Sequence, residues 1–304
     1  MSKISDIKVV ATSAGVSLLD VILNITVAIL TSSTVMLSQA LQGLSDLITG
    51  GILFFGVKRS YRQHDSEFQF GYGRELFFWV LVAGIIMFAG TGVTSLWFGY
   101  QQIVNPTPVE NIWLAFAMLT FGFFANGYAL SLSIQRLRGQ DKSKHWLKHL
   151  LHSSIIETKA TFIIDCLGTS STVLGLLALG LFLLTGDARF DGVGSVLIGL
   201  SMMYAALMLI RDVRDLIVGK AVDQDTNKRI ARAAKRVDGV EDVLDLRTMY
   251  LGSERLLVVL EVHLKDGLDT DAIELITDNI KHSVQRLVPI VHHIQVEIET
   301  PEID

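Results

Sequence analysis

The chain is poor in most of what builds a secreted or soluble domain. Its 304 residues include one cysteine and four prolines, so a disulfide framework is excluded. Charged residues make up only 19% and hydrophobic ones 50%, too apolar for an ordinary soluble domain of this length. None of the eight histidines falls well inside an apolar run, and His152 stands at the margin of one. HExxH and GxSxG are both absent, which removes the usual grounds for an intramembrane enzyme. The opening "MSKISDIK" leads into an apolar stretch of spanning length with no small-residue cleavage site, so no cleavable signal peptide is expected. Cys166 lies in an apolar run beside Asp165 and reads as a buried spectator thiol.

What is present is a series of long apolar segments. Six are near or above the ~20 residues needed per crossing, at about 9–30, 34–57, 76–101, 112–134, 153–184 and 190–210. Glu157 and Lys159 interrupt the start of the fifth. Lys58, Arg59, Arg62 and Arg74 crowd the second loop, and Arg136, Arg138, Lys142, Lys144 and Lys148 the fourth. The first and third loops carry no Lys or Arg, and the fifth only Arg189. By the positive-inside rule both termini are cytoplasmic. A multi-pass protein of a prokaryotic plasma (inner) membrane is expected.

From about residue 212 charges become frequent. "DTNKRIARAAKRV" reads as an amphipathic helix opened by Asp225, "VLDLRTMYLG" and "RLLVVLEVHLKDG" as strands around a turn. "DTDAIELITDNIKHSVQRLV" follows as a helix and "HHIQVEIET" as a strand. The order αββαβ predicts a compact sheet with both helices on one face. The chain thus divides at 1–211 and 212–304.

Polar side chains recur near the middle of four spans: Asp20 and Asn24, Gln42 and Asp46, Asn126, and Thr161 and Asp165. Each pair is spaced i, i+4 and shares a helix face. A carboxylate at mid-bilayer costs about 2.5–3.5 kcal/mol on insertion scales and marks a functional site by default. Three carboxylates from three helices at similar depth would be stabilised by a cation. The alternative is interhelical hydrogen bonding, the preferred reading for Asn24 and Asn126. Asp20 reads equally as a ligand, a proton carrier or a neutral acid. Asp191, at the start of the sixth span, reads as an N-cap. "HWLKHLLH" puts His145, His149 and His152 on one helical face, as a metal site or, preferably, a wetted surface helix. His292 and His293 are adjacent and a poor chelate.

In this arrangement the chain resembles the cation diffusion facilitator family over nearly its whole length. "QGLSD" and "TFIID" are similar to that family's paired (His/Asp)xxxD motifs, and "FQFGYGRE" to its FGxG(K/R)xE signature. "FGYGRE" with "LRTMYLG" looks closest to an SLC30A9-like branch. The resemblance implies an α-helical membrane protein of six transmembrane helices with a cytoplasmic ferredoxin-like α+β domain for dimerisation and regulation. It also implies an intramembrane metal site of Gln42, Asp46, Thr161 and Asp165, with Asp20 as a possible additional carboxylate. The implied activity is divalent cation efflux by cation/proton antiport, in a homodimer whose partners are the lipid bilayer, metal ions and protons, with no nucleic acid and no resident cofactor.

Two departures from the family pattern carry information. Gln42 and Thr161 stand where histidine is frequent, leaving an all-oxygen shell suited to hard ions such as Mg²⁺, Mn²⁺ or Ca²⁺, with Fe²⁺ intermediate, without excluding Zn²⁺ or Co²⁺. The tail has Leu244, Glu261, Glu297 and Glu299, and the second loop Phe68 and Tyr72, near positions where relatives hold metal histidines. Asp65, Glu67 and Glu157 are candidates for drawing cations inward, and the tail's acids for sensing them. A non-transporting regulatory or heteromeric subunit with a decayed site is the competing reading.

Overall fold

The computed structural model describes residues 3–140 and 156–301. Five helices within them are long and apolar enough to cross a membrane. They are α2 (Thr34–Ser60), the continuous helix Glu75–Val104, α5 (Ile112–Gln140), α6 (Ile156–Thr185) and α7 (Arg189–Val218). The first helix, α1 (Lys3–Thr31), has a shorter apolar stretch at Ser17–Thr31. The helix Glu75–Val104 is not uniform: α3 (Glu75–Ile86) passes through a π-helical stretch, Met87–Val93, into α4 (Thr94–Val104). The chain separates into two compact units, Met1–Val57 with Phe78–Val213, and Lys58–Phe77 with Arg214–Asp304.

In the first unit, the α3–α4 helix and α7 pack through small residues. A Cβ on Gly99 would lie 2.6 Å from the Gly192 carbonyl, and one on Gly192 2.7 Å from the Gly99 carbonyl. Gly92 and Gly199 repeat this contact, with a Cβ on Gly199 falling 2.8 Å from the Gly92 carbonyl. Between the two glycine contacts the Ser195 hydroxyl donates to the Ser95 carbonyl at 2.9 Å. Small residues let helix backbones approach where lipid supplies no hydrophobic drive. Lys159, which interrupts the apolar run of α6, is buried and ion-paired with Asp212 of α7. That pairing is what a buried ammonium requires.

Asp191 departs from expectation. It belongs to the first turn of α7, and the cap of α7 is Asp187, whose carboxylate accepts from the Arg189 N–H at 2.9 Å. The fully buried Asp191 carboxylate instead caps α2. It accepts from the Ser33 hydroxyl at 2.5 Å, the Thr34 N–H at 2.6 Å and hydroxyl at 2.8 Å, and the Val35 N–H at 3.2 Å. An anion there satisfies donors that a helix start leaves open and complements the helix dipole.

The second unit contains α8 (Gln224–Lys235), β1 (Val240–Gly252), β2 (Arg255–Leu264), α9 (Thr270–Leu287) and β3 (Val291–Ile298), the expected αββαβ order. The sheet runs β1-β2-β3, antiparallel then parallel. Leu256, Val258, Leu260, Val262 and Leu264 alternate inward along β2. The two helices lie side by side on that face, burying Ile230 and Ala234 from one and Ile276, Ile280 and Val284 from the other.

The loop Lys58–Phe77 belongs to this unit. Its Asp65 carboxylate accepts from the Tyr72 hydroxyl at 2.6 Å and from the N–H groups of Phe68 and Glu67 at 2.8 and 3.0 Å. Arg62 stacks over Tyr72 at 4.5 Å and bonds Asp65 at 3.3 Å. Asp65 therefore organises the loop. The Tyr72 hydroxyl, then the Phe68 N–H, hold its carboxyl below the ordinary carboxylate range. A lowered pKa stabilises the loop above that range, and the contribution is lost as pH falls through the lowered midpoint.

Two predictions follow from these contacts. Asp191→Ala should lower the stability of the detergent-solubilised chain by at least about 2 kcal/mol, because several buried donors lose their acceptor. Tryptophan fluorescence during thermal unfolding measures this, and an unchanged midpoint would refute the cap. Tyr72→Phe should raise the Asp65 titration midpoint towards the ordinary carboxylate value, read by carboxyl NMR across acidic pH.

Candidate metal centre

Four helices, α1, α2, α5 and α6, enclose a cavity of about 530 Å³ in the first unit. Asp20 and Asn24 reach it from α1, Gln39, Gln42 and Asp46 from α2, Asn126 from α5 and Thr161 from α6. The i, i+4 spacing of Gln42 and Asp46 turns both into the same space. Gly43 sits between them, and a Cβ there would come 3.1 Å from Val21 and 3.7 Å from Asp20 Oδ2. Its bare backbone is what brings α1 and its carboxylate against α2.

The side chains differ in how they are satisfied. Asn24 donates to the Asp20 carboxylate at 3.1 Å and to its carbonyl at 3.0 Å. Asn126 donates to the Gly168 carbonyl at 3.2 Å, tying α5 to α6. Asn126 bonds across a helix interface as expected, whereas Asn24 turns back onto Asp20 of its own helix instead of bridging to a neighbour. Gln42 is only 3% exposed, and its Oε1 has no partner. Gln39, one turn earlier, has its Nε2 in the same condition. An unpaired buried polar atom costs about 1–3 kcal/mol, and both of these amides belong to residues that line the cavity.

Of the residues expected to form the site, Gln42, Asp46 and Thr161 line this one cavity, together with Asp20. Asp165 follows Thr161 by one helical turn and is not part of the cavity wall, yet its field and that of Asp20 both reach Asp46. Among the described residues no three His, Cys, Asp or Glu side chains close on one point. The three carboxylates are therefore neighbours in charge without forming a ready-made chelate. An ion here would draw its remaining donors from neutral oxygens, and Gln42 and Thr161 stand at the cavity to supply them. Gln39 was legible only as a second glutamine three residues before Gln42.

Outside the spans, His145, His149 and His152 lie outside the described residues, as does the side chain of Glu157. His292 and His293 are both exposed on β3, with His293 edge-on to Phe70 at 5.5 Å. In the tail, Arg247 bonds Asp245 at 2.7 Å and reaches Glu261 at 3.5 Å. Glu297 pairs in register with Glu261. A guanidinium already stands among the acids proposed to sense metal.

A family model described as the cation efflux transmembrane domain matches residues 10–218, and one described as the cation efflux protein cytoplasmic domain matches residues 222–301. The chain belongs to the cation efflux family. The family is one of transporters, and the second match carries its dimerisation domain. Among similar proteins is the mitochondrial proton-coupled zinc antiporter SLC30A9 of Mus musculus, 23% identical over 77% of this chain and 42% of its own length. The chain thus spans less than half of that relative. Metal tolerance protein C4 of Arabidopsis thaliana is 20% identical over 89% of this chain and 68% of its own length. The cation-efflux pump FieF of Shewanella oneidensis is 24% identical over 88% and 86%.

If Asp46 is the principal anion of this efflux-family cavity, Asp46→Asn should weaken Mn²⁺ binding by more than about tenfold, or 1.4 kcal/mol. Asp20→Asn should weaken it by less, because Asn24 already engages that carboxylate. Titration calorimetry on both purified variants gives the comparison, and the reverse order would move the site to α1.

Proposed function

We propose that this chain exports a divalent metal cation from the cytoplasm by alternating access, exchanging it for protons, as a homodimer in a prokaryotic inner membrane with both termini inside. Residues 1–211 carry transport, and residues 212–304 serve dimerisation and regulation. Membership of the cation efflux family supports transport in general. The particular reading rests on one observation: Gln42, whose buried Oε1 has no partner, lines the same cavity as Asp46.

In this reading Asp46 and Asp165 supply the negative charge that draws the ion, and Gln42 and Thr161 add neutral oxygens, directly or through water. Metal ligands must be deprotonated, so protonation of the two aspartates from the far side weakens coordination and releases the ion. Return of the protons inward resets the carboxylates. One relative is named a zinc antiporter, but the donors here include no nitrogen or sulfur ligand. Hard or intermediate ions, Mg²⁺, Mn²⁺ or Fe²⁺, suit such a shell better than Zn²⁺ or Co²⁺ do.

The test replaces the oxygens. Gln42→His combined with Thr161→His should shift preference towards Zn²⁺ or Co²⁺ by about tenfold or more, a change that needs only 1.4 kcal/mol of differential binding. Each single change should shift it less, and not additively, since both positions share one ion. Competition transport in proteoliposomes decides. An unchanged ion ranking in folded double-mutant dimers would mean that Gln42 and Thr161 only pack.

A further inference from the structure

The π-helical stretch Met87–Val93 interrupts an otherwise regular helix at a depth where nothing in the hydropathy demands it. Such stretches occur mostly as single-turn bulges, frequently at functional sites. At its centre Thr91 is fully buried. Its hydroxyl donates to the Leu41 carbonyl at 3.0 Å and lies 2.5 Å from the Ser45 hydroxyl. Leu41 immediately precedes Gln42, and Ser45 immediately precedes Asp46.

The protons can be assigned. A threonine hydroxyl has one, and here it goes to Leu41, so Ser45 must donate to Thr91. Serine within a helix ordinarily turns back to the carbonyl four residues earlier, which for Ser45 is Leu41. Thr91 has taken that acceptor and drawn the Ser45 hydroxyl outward. The result is a three-membered link, Ser45 to Thr91 to Leu41, closed across the helix turn that carries Gln42 and Asp46. Flanking glycines allow the approach. A Cβ on Gly90 would stand 3.6 Å from Ser45 Oγ, and Gly92 leaves room for Met203 of α7.

We infer that Thr91 is a positioning residue for the metal-binding turn of α2, with the π-helical stretch setting its depth and direction. Resting on the site reading above, the inference assigns Thr91 no contact with the ion. It fixes the rotation of the turn, and so the aim of Gln42 Oε1 and the Asp46 carboxylate into the cavity. Releasing the link lets the turn relax to ordinary serine back-bonding and costs the site its preorganisation.

The full chain in proteoliposomes, with Mn²⁺ and Zn²⁺ as probes, tests this through the split between KM and kcat. Thr91→Val keeps the shape and removes the hydroxyl. It should raise the Mn²⁺ KM about tenfold and narrow the Mn²⁺/Zn²⁺ preference, 1.4 kcal/mol per factor of ten, while Thr91→Ser should restore both. Ser45→Ala removes the other half of the link and should give the same KM shift, and it decides the question should Thr91→Val fail to fold. A hydroxyl that merely stabilises would lower the yield of folded dimer and leave KM and preference of the folded fraction untouched. Wild-type KM and preference in Thr91→Val, or in Ser45→Ala where the former does not fold, would overturn the inference. Asp46→Asn measured alongside separates the two claims: inactive Asp46→Asn with wild-type-like Thr91→Val refutes only the positioning role, whereas active Asp46→Asn refutes the site itself.

Discussion

The constraint on which the rest of the membrane unit depends is the absence of water in the bilayer core, where each polar atom needs a partner within the chain. Its effect is visible in the hydroxyls. Thr26, Thr31, Thr120, Thr169, Ser170, Thr185 and Ser201 each donate to the carbonyl four residues earlier. The charged groups obey it too, Lys159 through Asp212 and Asp191 through the start of α2. Against that background an unpaired polar atom needs a reason. Thr49, Trp79 and Ser95 leave one each elsewhere, and Gln39 and Gln42, which line the same cavity as Asp46, leave one each as well. That coincidence is what supports the proposed ion site in this cavity.

Helix α2 is where these demands meet. Gln39, Gln42 and Asp46 form its cavity face. Hydroxyls on α2 and on Ser33, just before its start, reach to the glycine-packed pair of α3–α4 and α7. Ser33 meets Asp191 at 2.5 Å, Ser38 meets Ser195 at 2.7 Å, and Ser45 meets Thr91 at 2.5 Å. The Ser195 proton is committed to the Ser95 carbonyl, so Ser38 donates in that contact. The helix that presents the candidate ligands is thus anchored by side chains on neighbours that do not line the cavity.

Much of this was legible in the residues. A stretch such as "LSQALQGLSD" states that polar groups recur inside an apolar helix, and i, i+4 spacing puts Gln42 and Asp46 on one face. Alternation along β2 and the capped helices gave the tail its order, because those signals are local. What stayed hidden was every relation between helices. Asp191 was readable as a cap, but the helix it caps is 157 residues away at Thr34. The π-helical stretch inserts its distortion without altering hydropathy, so "FAGTGV" looks like any small-residue stretch. Asp65 looked like a free acid because its partner Tyr72 is seven residues on, across a turn. Asp165 shares a face with Thr161, but the rotation of α6 that decides which of them lines the cavity is set by packing.

Charge and neutrality in the cavity must be balanced together. Three carboxylates in one low-dielectric unit repel one another, and Asp46 feels both Asp165 and Asp20. If all three were ionised without a cation, each would bear desolvation and repulsion at once. A divalent ion removes that load, and so do protons, which makes the two natural competitors for the same carboxylates. In the proposed site the oxygens of Gln42 and Thr161 do not titrate, so proton binding would be left to the aspartates. On the proposed function, proton coupling would follow from the aspartates and ion preference from the neutral oxygens of Gln42 and Thr161. The two properties are therefore separable by mutation, since each resides in a different chemical group of the same two helix turns.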